Sequence, residues 1–85
     1  MPKSVFGGAH RHLVETLADA RRRSGLTQRE LAARLGKDQS FVSLVEGGQR
    51  RVDVLEFVAI ARALGEEPVT LFSSLYTALP AQFDI

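Results

Sequence analysis

The sequence predicts an all-α domain, and three observations carry that prediction. Apolar residues recur at the three- and four-residue spacing of a helix, as in Leu13, Leu17 and Ala20. Capping residues (Thr27, Asp38, Asp53) stand before such stretches and glycines (Gly25, Gly36, Gly47-Gly48, Gly65) follow them. The chain has 85 residues, the length of one domain rather than two. The reading is five helices around one core over residues 10–79. A flexible arm (1–9) precedes them and a short tail (80–85) follows.

Bulk properties narrow the function. There is no cysteine, so no disulfide framework and no thiolate metal site, which fits a reducing cytoplasm. No apolar run approaches the ~18 residues of a membrane span, and the N-terminus lacks an apolar signal core. Net charge is only +1, but it is unevenly placed. Residues 1–50 hold nine Lys/Arg and five Asp/Glu, giving +4; residues 51–85 hold two and five, giving −3. A basic half of this kind suits a DNA-facing surface.

The elements follow in order. Met1–Ala9 carries Pro2, Gly7 and Gly8 and reads as an arm; Lys3 can reach a phosphate, and Val5 and Phe6 can dock on the core or a partner. His10–Ser24 is the first helix, with Val14 and Ala18 widening its apolar stripe. His10 and His12 are two apart and point to different sides of a helix, so no metal site is expected. Arg21-Arg22-Arg23 places cations where the helix dipole favours them. Thr27-x-x-Glu30 is a capping box for a second helix, Gln28–Leu35. Gly36 can end that helix in the left-handed conformation, and Asp38 is placed to cap a third, Gln39–Glu46. Val42 and Val45 share the buried side of this helix; Gln39, Ser40, Ser43 and Leu44 fall on the other. Phe41 reads as a packing residue at the edge of the core. Asp53-x-x-Glu56 caps a fourth helix ending at Leu64, with Val54, Phe57, Val58, Ile60, Ala61 and Leu64 as core candidates and Leu55 facing outward. Glu67-Pro68 opens a fifth helix, Pro68–Leu79, since proline suits the first helical position. Its Leu71, Phe72, Leu75, Tyr76 and Leu79 cover more circumference than one packed face needs. A two-fold dimer through Leu71, Leu75, Tyr76 and Leu79 is the expectation, with Phe83 and Ile85 of the tail as further contacts, by pairing or packing on the partner.

Several residue types at fixed spacing resemble the helix-turn-helix of the phage-repressor/Cro-like (XRE) family. They are Gly25-Leu26-Thr27-Gln28, Glu30-Leu31-Ala32, Leu35-Gly36, Gln39-Ser40, Val42, Val45-Glu46, Gly48 and the later Ala61-Arg62-Ala63-Leu64-Gly65. The resemblance covers roughly residues 10–76. It implies a lambda-repressor-like domain that binds double-stranded DNA, with the third helix as the recognition helix. It implies an ion pair between Arg21 and Glu46, and a phosphate contact for Gln28, which can also support Gln39. Gln39 leads the expected base contacts, because its amide offers both a donor and an acceptor to adenine in the major groove. Ser40 and Ser43 follow. Leu44, where the family commonly has a polar or basic residue, can touch a thymine methyl or pack on a neighbouring loop. Arg29, Lys37, Gln49, Arg50 and Arg51 are the expected phosphate contacts beside Gln28.

The expected function is therefore a sequence-specific transcriptional regulator, a dimeric repressor on a near-palindromic operator. No cofactor, metal or catalytic residue is expected: the chain lacks a phosphate-binding glycine loop, a metal-ligand constellation and a Ser/His/Asp arrangement. Two other readings use the same fold. One is an antitoxin or adapter with a protein partner. The other is a controller protein of a restriction–modification or mobile element.

Overall fold

The computed structural model describes residues 7–85. Lys3, Val5 and Phe6 of the arm lie outside the described residues. Five α-helices follow one another: α1 His10–Arg23, α2 Gln28–Leu35, α3 Gln39–Glu46, α4 Val54–Ala63 and α5 Pro68–Ala78, with no strand among the described residues. α2 packs on α3 and α4, α1 on α3 and α5, and α4 on α5. Leu17 and Ala20 of α1, Leu31 of α2, Val42 and Val45 of α3, Phe57 and Ile60 of α4, and Leu71 and Leu75 of α5 meet in one core. Every helix thus contributes its apolar stripe, and no charged or polar side chain is fully buried among the described residues.

Local chemistry sets the helix limits. At α2, Thr27 and Glu30 complete the capping box: the Glu30 amide donates to Thr27 Oγ1 at 3.1 Å and the Thr27 amide to Glu30 Oε1 at 2.9 Å. Asp53 and Glu56 repeat it at α4, with bonds of 2.7 and 3.0 Å. Glu67 caps α5 by accepting from the amides of Val69 and Thr70. Gly36 ends α2 at φ 67°, and the Lys37 amide then turns back to the Ala32 carbonyl at 2.9 Å.

Three expectations are corrected. Asp38 occupies the N-cap of α3 in extended conformation, but its side chain accepts no capping hydrogen bond. Val54 is 77% exposed rather than in the core. It stands in the first turn of α4, and Val52 of the preceding loop packs against the core instead. Leu71 and Leu75 are 1% and 8% exposed, so they belong to this chain's own core and are unavailable to a second copy. The outward stripe of α5 is Val69, Phe72 and Tyr76, spaced three and four apart.

Candidate nucleic-acid interface

α3 has eight residues and is about 12 Å long at ~1.5 Å per residue, and an α-helix with its side chains is about 10–12 Å across, which a DNA major groove admits. Val42 and Val45 anchor it in the core at 3% exposure each, which fixes its rotation. That rotation turns Gln39, Ser40, Ser43 and Leu44 to the surface, Leu44 at 47% exposure. Three of these four offer uncharged hydrogen-bonding groups. The Ser43 hydroxyl donates to the Ser40 carbonyl at 3.2 Å, which leaves its oxygen free to accept from a base amino group.

The C-terminal end of α3 is bolted to the rest of the fold. Arg21 donates to both oxygens of Glu46, from Nε at 2.7 Å and Nη2 at 3.0 Å. Its Nη1 donates to the Leu26 carbonyl at 2.8 Å, tying in the turn before α2. The Gln28 amide donates to Glu46 Oε1 at 3.0 Å. One carboxylate therefore gathers α1 and α2 around the end of α3. The pair is mostly buried, at 13% and 9% side-chain exposure, and the hydrogen bonds to Glu46 raise the Arg21 pKa. Gln28 supports Glu46 here rather than Gln39.

The expected phosphate contacts divide into groups. Arg29, Lys37 and Gln49 are exposed. Lys37 also lies 5.6 Å over the Phe41 ring, and Gln49 donates to the Gly47 carbonyl at 3.4 Å. Arg50 is committed within the chain: its Nη1 and Nη2 donate to the two oxygens of Glu56 at 2.9 and 2.8 Å, and its guanidinium sits 4.6 Å over Phe41. Hydrogen bonding to Arg50, then to the Asp53 amide, holds the Glu56 carboxyl below its ordinary range. Arg51 is exposed and lines a cleft with His10 and Phe83. Burial, aided by the Arg51 charge, lowers the His10 pKa. Gly48 is buried at φ 76°, the left-handed conformation that the turn after α3 requires.

Sequence reasoning missed two links. Arg50 and Glu56 are six apart across a loop, a spacing that signals nothing by helical periodicity. Arg34 donates to the Ala63 carbonyl at 2.9 Å across 29 residues of sequence and so closes the end of α4.

A short helix held between two others, with its polar face outward and cations beside it, defines a helix-turn-helix DNA-binding domain. The chain matches the helix-turn-helix family profile over residues 17–71 and belongs to that XRE-type family of DNA-binding transcriptional regulators. It is 43% identical over 54 residues to y4dJ, an HTH-type transcriptional regulator of Sinorhizobium fredii, covering 64% of this chain and 70% of that one. Among solved structures it is similar to an XRE-family-like protein of Pseudomonas syringae pv. tomato. The identity is 46% and the TM-score 0.77, over 85% of this chain and 88% of that one. It is also similar to the restriction–modification controller protein C.AhdI of Aeromonas hydrophila. Here the identity is 41% and the TM-score 0.63, over 69% of this chain and 86% of that one.

Proposed function

We propose that this regulator is a homodimeric repressor that reads a near-palindromic operator through α3. The observation that carries the reading is the outward face of α3, where Gln39, Ser40 and Ser43 stand together while Glu46 is clamped by Arg21 and Gln28. Gln39 acts on an adenine edge and the serines on neighbouring bases or phosphates. Leu44 meets a thymine methyl. Arg29, Lys37, Gln49 and Arg51 supply phosphate contacts, which set orientation and affinity but carry no sequence information. The second copy docks through Val69, Phe72 and Tyr76 of α5, together with Leu79 and the tail residues Phe83 and Ile85. The protein works by binding alone, without catalysis, and acts in the cytoplasm. No described helix is long and apolar enough to cross a membrane. The likeness to C.AhdI supports a controller protein as the particular kind of regulator.

The test is selection of bound fragments from a genomic library at several salt concentrations. The expected result is a near-palindrome whose half-sites lie about 34–36 Å apart, one helical turn. Substituting Gln39→Ala then lowers affinity for that site by roughly tenfold and leaves random DNA unaffected, within the ~1–3 kcal/mol of one bidentate base contact. Retention without a motif, or equal loss on both DNAs, overturns the assignment of α3 as the base reader.

A further inference from the structure

The two ends of α3 are held differently. Glu46 is anchored at the C-terminal end by Arg21 and Gln28. The N-terminal end carries Gln39 and Ser40, and there the Asp38 side chain makes no capping bond. Phe41, in the first turn of the helix, helps to hold that end. Its ring is half-buried, packs against the core and lies under the Arg50 guanidinium at 4.6 Å. Arg50 is in turn gripped by both oxygens of Glu56. Glu56 is locked by the capping box, accepting from the Asp53 amide at 3.0 Å. A continuous chain of contacts therefore runs from the first turn of α4 through Arg50 to the first turn of α3.

We propose that Arg50 and Glu56 are positioning residues for the recognition helix: they clamp Phe41 and thereby set where Gln39 and Ser40 meet DNA. This rests on the reading of α3 as the base-reading helix. It replaces the phosphate role expected for Arg50. Three of the five Arg50 N–H donors are engaged within the chain, two by Glu56 and one by the Arg51 carbonyl, and the Arg50–Glu56 pair carries no net charge to attract a phosphate. Lys37, exposed over the same ring at 5.6 Å, keeps its ammonium available for the backbone. The two cations at Phe41 thus divide the work: Lys37 binds and Arg50 aims. A planar, bidentate and stacked site is one where lysine cannot replace arginine.

Fluorescence anisotropy on the selected operator duplex and a scrambled duplex, across a salt series, separates the possibilities. The variants are Glu56→Gln, Arg50→Lys, Lys37→Ala and Gln39→Ala. Glutamine retains the capping acceptor at position 56 but loses the charged fork. Removing a carboxylate beside DNA would by charge alone tighten binding to every sequence. The proposal expects the opposite for discrimination: Glu56→Gln and Arg50→Lys each lower the operator-to-scrambled affinity ratio by roughly tenfold. Neither changes the salt dependence appreciably, whereas Lys37→Ala reduces its slope by about 0.9, the value of one phosphate contact. Thermal unfolding verifies that each variant is folded; should Glu56→Gln unfold, Arg50→Lys, which keeps the charge, decides alone. An unchanged ratio in Arg50→Lys, or equal tightening on both duplexes in Glu56→Gln, overturns the proposal. An unchanged ratio in Gln39→Ala instead removes the base-reading assignment on which it rests.

Discussion

Glu46 lies at the last position of α3 and accepts from Arg21 and Gln28, while Arg21 also holds the Leu26 carbonyl. A carboxylate this enclosed is costly to leave without its cation. Substituting Arg21→Ala should therefore destabilise the domain by about 3 kcal/mol, at the lower end of what is found when one partner of a buried pair is removed. For a domain of this size that corresponds to a fall in Tm of at least about 10 °C. Calorimetry would measure it directly, and an unchanged Tm would show that Glu46 is solvated well enough to stand alone. Leu44 shows the other kind of residue on α3: half-exposed and without a hydrogen-bonding group, it contributes by shape only.

The helices are short, eight residues in α2 and α3, too short to persist in isolation. Their ends are correspondingly reinforced, and three of the five depend on a carboxylate: Glu30 at α2, Glu56 at α4 and Glu67 at α5. Hydrogen bonds to each hold its pKa below the ordinary 4.5. A depressed folded-state pKa means that the unfolded chain takes up the proton first. The stabilisation is then complete above pH 4.5 and is lost as pH falls through the folded values. His10, lowered from 6.5, contributes a separate and earlier loss as pH drops below 6.5, because its proton too binds more readily to the unfolded chain. Thermal midpoints measured against pH should show a shallow decline beginning near 6.5 and a steeper one below 4.5. The His10→Gln variant should lose the first step and retain the second. A midpoint constant down to pH 3 would contradict the capping account.

At the scale of the molecule, α5 has two sides with different fates. Leu71 and Leu75 complete the core, whereas Val69, Phe72 and Tyr76 are 74%, 54% and 71% exposed. Phe72 is only half-committed, resting edge-on against Phe57 with ring centroids 6.1 Å apart. A contiguous apolar stripe on a small domain is a natural isologous contact. Sedimentation of the wild-type chain should give twice the monomer mass at micromolar concentration. The Phe72→Glu/Tyr76→Glu double variant should sediment as a monomer and bind the operator at least about tenfold more weakly, since half-sites would no longer be joined. A wild-type monomer at all concentrations, with or without DNA, would remove the dimer from the proposed function.

The sequence specifies the five helices, because caps, stops and apolar spacing are local features. Thr27-Glu30, Asp53-Glu56 and Gly36 act within a turn or two, so their meaning is complete in a short window. It also determined which side of α3 faces outward, since Val42 and Val45 leave only one buried orientation. How surplus apolar residues and cations are shared out is set by the packing between helices. Leu71 and Phe72 are neighbours of similar character, yet one is enclosed by α1 and α4 and the other left at the surface. Arg50 and Lys37 have the same charge and lie over the same ring, yet Arg50 is hydrogen-bonded to Glu56 of α4 whereas Lys37 only adds its field to that carboxylate. Such choices depend on which side chains converge across loops, and convergence is a property of the packed helices rather than of any single stretch of sequence.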